Sequence, residues 1–141
     1  MDAFPHATVW GNTNQGQGYD TVLLGQADAT RIDVDALQVR LNRPDLARVA
    51  QSLSEVGFTS VIDLLSTYGG RGPDLAPWLV GAQRNRDRNL RLQFLAGMGN
   101  NEYQGGPIYS EMLSYRTYPE RLFSVSGQWV LQLREAIAAG R

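Results

Sequence analysis

The residues in this chain that could do chemistry are few and scattered. Arg84, Arg86, Arg88 and Arg91 surround Asp87 and form its densest basic cluster. Guanidinium forks hold carboxylates and phosphates through paired hydrogen bonds, which makes Arg84, Arg86 and Arg88 the candidates for binding an anion. A solvated loop with an internal Asp87 ion pair is the plainer reading of the same residues. Asp33 and Asp35 resemble a carboxylate pair, but residues two apart point to different sides of a helix. They read instead as charges at a helix start, where the backbone dipole favours acids. His6 is the only histidine and there is no cysteine. A metal cage, a disulfide, a thiolate zinc site and a cysteine nucleophile are therefore not expected. The serine-nucleophile pattern G-x-S-x-G does not occur. GNTNQGQG (Gly11–Gly18) is glycine-rich, yet it matches neither a dinucleotide fingerprint nor a phosphate-cradling loop. Trp10, Tyr19, Trp78, Tyr103, Tyr109, Tyr115, Tyr118 and Trp129 are spread along the chain, and most read as core anchors rather than a cation cage.

The elements that would position these groups follow from local patterns. Thr8–Trp10 and Thr21–Leu24 are β-prone and flank turn chemistry, which predicts a hairpin with a long loop. The unalternating TVLL reads as a strand buried on both faces. From Asp33 the period becomes helical, with Asp33 as cap and Val34, Leu37 and Leu41 inward. Pro44 suits a helix start, Leu46, Val49, Ala50 and Leu53 follow at helical spacing, and Gly57 fits a left-handed stop. Ser60 and Asp63 form a capping-box-like pair ahead of Val61, Leu64 and Leu65. The run Gly69–Pro73 reads as a breaker, and Asp74–Ala82 as a short helix. Leu90–Leu95 alternates like an exposed edge strand, and Gly97–Gly106 reads as loop. Ile108–Tyr115 and Val125–Ala139 read as helices, the last with Val130, Leu131, Leu133 and Ile137 inward.

Composition bounds the class. The chain has 141 residues, 43% of them hydrophobic, enough for one domain with a core. Net charge is −1, and all 13 basic residues are arginine. A nucleic-acid partner normally demands a basic patch, so none is expected. The N-terminus lacks the pattern of a secretory signal, and no apolar run approaches the ~20 residues of a membrane helix.

The stretch FPHATVWGNTNQGQGYDTVLLGQ resembles the last sheet strands of the spermidine-synthase-like proteins, the polyamine aminopropyltransferases. IDVDALQVRL, SLSEVGFTSVIDLLSTYGG, NRDRNLRLQFLAG and IYSEMLSYRTYPERLF follow in an order similar to the C-terminal tail of large bacterial members, in which such a domain follows a transporter-like membrane region. The resemblance covers roughly residues 4–125, and it rests on order and spacing rather than on one motif. It implies an α/β fold: residues 1–30 as the closing β-hairpin of a Rossmann-like, methyltransferase-type sheet, and residues 31–141 as a mostly helical C-terminal extension.

Function by resemblance is aminopropyl transfer from decarboxylated S-adenosylmethionine to a polyamine. A carboxylate would assist deprotonation of the attacking amine, which must be neutral to attack. The family's glycine-rich nucleotide loop, ribose-binding acid and catalytic aspartate have no counterpart in this sequence. The chain is therefore expected to hold no cofactor and no catalytic residue of its own. Trp10 falls where the family places an aromatic wall of the amine pocket, and Tyr19 and Asp20 fall near a second pocket position. Asn85 and Asp87 keep part of a tail segment of the family. The implied partner is a protein, or a preceding region, that completes the sheet. The implied location is the cytoplasm, at the inner face of a membrane if the parent carries the transporter-like region. The alternative is a non-enzymatic structural or interaction subunit whose hairpin adds to a partner's sheet.

Overall fold

A computed structural model describes residues 3–14, 17–91, 93, 95 and 104–140, and the side chains of 12–14 and 17–19 lie outside that description. Within these residues the chain is a mixed α/β structure with two small sheets. The hairpin is present: β1 (Thr8–Asn14) pairs antiparallel with β2 (Gln17–Leu24) from Thr8↔Leu24 to Asn14↔Gln17. Pairing therefore runs through most of the glycine-rich segment expected to be a long loop. The register shifts between Asn12 and Thr13.

β1 also pairs antiparallel with β4 (Tyr68–Arg71), giving a sheet of order β2-β1-β4. This corrects the reading of Gly69–Pro73 as a simple breaker. Glycine is a poor strand former, but here the missing side chains let elements approach. A Cβ on Gly69 would lie 3.3 Å from the Val9 carbonyl oxygen. Gly70 has φ +140°, and a Cβ there would meet the Leu75 side chain at 3.1 Å.

The sheet divides the core in two, because alternate strand residues face opposite sides. On one side Val9 packs with Leu75, Tyr109 and Met112, and Trp78, Leu113 and Tyr115 lean on them. Leu75 comes from α4 (Gly72–Leu75) and Tyr109 and Met112 from α5 (Gly105–Ser114). On the other side lies the larger cluster of Val34, Val61, Leu65, Tyr68, Phe123, Leu133 and Ile137, with Trp10 against it. It gathers α1 (Val34–Leu41), α3 (Val61–Leu65) and α6 (Gly127–Ala139) around a short parallel pairing of β3 (Ile32–Asp33) with β5 (Phe123–Ser124).

Local caps place the helices. Asp33 accepts the Ala36 N–H at 2.9 Å and opens α1. Asp35, in the first turn of α1, reaches across the fold and accepts from the backbone N–H (2.8 Å) and hydroxyl (2.7 Å) of Ser126, the cap of α6. The Gln38 side-chain oxygen accepts from the Val61 N–H at 3.1 Å and ties α1 to the start of α3. The Arg116 guanidinium donates to the carbonyls of Tyr68 (3.3 Å) and Ala138 (3.0 Å), joining β4 to the end of α6.

Several expectations needed revision. α2 (Ala47–Glu55) forms after a 3-10 turn at Pro44–Leu46 and stops at Gly57, whose φ is +87°. It contributes no buried residue, and Val49 is 49% exposed. Leu131 is 69% exposed while Leu133 and Ile137 are buried. At about 100° per residue Leu131 stands roughly 200° from Leu133, on the outer face. The helix expected at Asp74–Ala82 is confined to α4, with turns over 76–81. In the expected edge strand Leu90–Leu95, Leu90 has a positive φ of +43° outside any strand, and Arg91, Gln93 and Leu95 are helical. Leu92, Phe94 and most of the loop expected at Gly97–Gly106 lie outside the described residues.

The capping box at the start of α3 has a measurable consequence. Ser60 accepts the Asp63 N–H at 3.1 Å, while the Asp63 carboxylate accepts from the N–H groups of Ser60 (2.9 Å) and Thr59 (3.0 Å). Burial alone would raise the Asp63 pKa, but the hydrogen bonds from Thr59 and Ser60 outweigh it and hold the carboxyl below its ordinary value. A depressed acid stabilises the fold above its unfolded pKa, and that stability is lost as pH falls through the folded one. Ser60→Ala should cost about 1 kcal/mol in urea unfolding at pH 7. Asp63→Asn should flatten the loss of stability below about pH 4. An unchanged acid limb would remove the role given to Asp63.

Candidate functional site

The amine-pocket residues implied by the resemblance sit in the hairpin. Trp10 is half-buried, and its indole N–H donates to the Thr8 hydroxyl at 2.8 Å. Its ring meets Tyr68 edge-on at 5.6 Å and Phe123 at 6.5 Å. Its polar atom is hydrogen-bonded and its ring contacts two core aromatics. Asp20 is exposed and opposes Asn12, and its carboxylate accepts the Thr21 N–H at 2.8 Å. Trp10 pairs with Val22, two residues from Asp20, so Trp10 and Asp20 share a face of the sheet. The backbone of Tyr19 lies in β2, and its side chain is outside the described set.

The arginine candidates lie in the exposed segment 82–90. Asn89 organises that segment: its amide accepts the Arg86 N–H at 2.9 Å and donates to the Arg84 carbonyl at 2.9 Å. Arg84, Arg86 and Arg88 are thus carried on an ordered turn at the surface, away from both core clusters. Among the described residues no group of three or more histidines, cysteines, aspartates or glutamates could hold a metal. Among the same residues no helix is long and apolar enough to cross a membrane.

Two other features stand out. The first is the outer edge of β2. Val22, Leu23 and Leu24 are 50%, 71% and 47% exposed, which corrects the expectation of a strand buried on both faces. Among the described residues β2 is an edge strand, paired with β1 alone. The opposite edge, β4, is short and mostly buried. Phe4, also half-exposed, extends the apolar strip beside Gly25.

The second is a cleft of about 280 Å³ at the end of the sheet where Thr8 pairs with both Leu24 and Arg71. His6, Thr8, Gln26, Thr30, Arg71 and Arg121 supply its polar lining. None of its lining residues is a carboxylate. The Nε of Arg71 donates to Asp74 at 3.1 Å, and the Thr117 hydroxyl holds the other Asp74 oxygen at 2.7 Å. In sequence His6 is a lone histidine, Arg71 falls within the glycine-rich run Gly69–Pro73 and Arg121 belongs to no motif. These residues are far apart in the chain, and no local spacing could have grouped them.

No protein family, curated protein or solved structure matches this chain.

Proposed function

We propose that this chain is a non-catalytic C-terminal segment of a spermidine-synthase-like protein, and that it joins a larger nucleotide-binding sheet through the free edge of β2. The observation that carries this reading is the exposed apolar strip Val22–Leu24 on an edge that no other described strand pairs. An open edge offers a row of unused N–H and C=O groups, and soluble proteins normally blunt or cover such edges. Strand addition satisfies those groups and buries alternate side chains. The other flank of the hairpin is filled by β4, so a closing hairpin has one side left to meet the rest of its sheet.

In this reading the adenosyl donor and the deprotonating carboxylate belong to the rest of the assembly. Trp10 contributes by bracing the hairpin, since its ring and N–H are engaged in the core. An interaction subunit in a non-enzymatic assembly would use the same edge, and the identity of the partner separates the two. The assembly would lie in the cytoplasm, at a membrane face where the parent carries a transporter-like region.

The test is the native mass and composition of the material that contains this chain. The reading expects a mass well above 15.6 kDa, or a partner with a glycine-rich nucleotide loop. Leu23→Lys, at an exposed position, should weaken that association at least tenfold and leave the melting temperature nearly unchanged. Recovery from its source as a lone 15.6 kDa chain without a partner would retire the reading, as would micromolar binding of an adenosyl donor by that chain.

A further inference from the structure

We infer that the cleft between the start of β1, the segment after β2, the end of β4 and the loop before β5 binds the phosphate group of a small organic phosphate monoester. The inference does not depend on the strand-addition reading. It rests on the lining, which is rich in donors and contains no carboxylate.

The two arginines are arranged differently. The Nε of Arg71 is fixed by Asp74, which is itself held by Thr117 and by the Tyr68 hydroxyl at 3.3 Å. That anchoring orients the guanidinium, and among the described residues its two terminal nitrogens carry no hydrogen bond. A fork held in place gives up little further freedom on gripping two oxygens. Arg121 is exposed and has no hydrogen-bond or ion-pair partner among the described residues.

The hydroxyls are polarised in the same sense. Thr8 is 3% exposed, and its oxygen already accepts from the Trp10 indole at 2.8 Å. The Thr30 oxygen accepts from the Gln26 amide at 2.8 Å. Each therefore has its own O–H proton left to donate. Two guanidiniums, two hydroxyl protons and the His6 imidazole exceed what the two oxygens of a carboxylate need. A phosphate monoester offers three strong acceptor oxygens and up to two charges. The volume lies near the lower limit of small-molecule sites, and Leu122 and Pro73 supply an apolar wall for a small organic body.

The experiment is a titration of the isotope-labelled chain with inorganic phosphate and with glycerol 3-phosphate, followed by amide NMR at constant ionic strength. The expected result is saturable shifts confined to residues 5–8, 26–30, 71–73 and 121–122, with glycerol 3-phosphate binding more tightly than phosphate. Arg121→Gln should weaken binding at least tenfold, while Arg48→Gln, exposed on α2, should leave it unchanged. Shifts that track ionic strength, or that centre on residues 84–91, would overturn the assignment. Acetate saturating the same residues more tightly than phosphate would overturn the phosphate specificity. Equal binding by Arg121→Gln and the parent chain would remove the cleft as the site.

Discussion

Replacing Tyr68 by alanine should destabilise the chain by about 3–5 kcal/mol, the range for deleting a fully buried aromatic. Tyr68 has no exposed surface and lies where three elements meet. Its ring meets Trp10 of β1 edge-on at 5.6 Å and Phe123 of β5 at 6.0 Å. Its hydroxyl reaches Asp74 at 3.3 Å, and its carbonyl receives Arg116. Alanine would open a cavity between the hairpin and the helical core and leave the sheet's contact with that core to Trp10 and Phe123. Tyr68→Phe keeps the ring and removes one hydrogen bond. Asp74 retains Arg71 and Thr117, so the cost should be about 1 kcal/mol. Urea unfolding at pH 7 distinguishes the two variants, and similar losses from both would mean that the ring contacts contribute little.

The same phenol gives a pH signature. Burial, reinforced by the Asp74 carboxylate, pushes the Tyr68 pKa far above its ordinary value. Below about pH 10 the phenol is neutral in both folded and unfolded chains, and its contribution is constant. Above that pH the unfolded chain ionises while folded Tyr68 keeps its proton, so stability falls as pH rises. Burial also raises the pKa values of Tyr109 and Tyr118. Tyr68→Phe should therefore make the alkaline decline shallower without abolishing it. An identical decline in the variant would contradict the assignment.

Gly11→Ala should cost about 2 kcal/mol or more, as overpacking of a filled core does. An added Cβ would overlap the Tyr109 hydroxyl and come within 2.6 Å of its ring carbon Cζ. Tyr109 is 8% exposed and wedged among Val9, Leu75 and Met112, so it has little room to retreat. The smaller entropy gain from replacing glycine, about 0.4–1 kcal/mol, does not offset that overlap. In a Tyr109→Leu background the obstruction is gone, and Gly11→Ala should become nearly neutral. A double-mutant cycle measures this directly, because residues in contact couple by 0.5–3 kcal/mol. Strictly additive effects would show that the sheet and α5 do not meet as closely as the structure places them.

Legibility from sequence followed the range of the interactions. The caps at Asp33 and at Ser60 with Asp63 are bonds between residues three apart, and the stop at Gly57 is a single backbone angle. Such features are written locally. The inward positions of α1 and α3 followed from period alone. Around α2 the period set Leu46, Ala50 and Leu53 apart as partly buried but not Val49, and on α6 the inward place given to Leu131 failed, because burial depends on what packs alongside. β4 was hidden because its partner lies some 60 residues upstream and its glycines signal a breaker. The arginine turn was visible as composition, but its organiser, Asn89, was not. The β2 edge was recognised as a strand and misread in burial, because an apolar run looks the same whether its cover is in the chain or outside it.

By itself the sequence determined the hairpin, the helix starts and the residues that form most of the main core. It also determined that no cysteine chemistry is present, since composition decides that directly. The tertiary structure alone decided that β4 completes a three-stranded sheet, that Tyr68 links two layers and that the apolar side chains of β2 stay exposed on an edge unpaired by any other described strand. It also brought His6, Arg71 and Arg121 around one cleft, although Thr8 and Arg71 are neighbours only through the β1–β4 register. The division has one physical cause. Caps and periods draw their energy from residues within a turn of one another, whereas edges, clefts and core junctions exist only once distant segments have met.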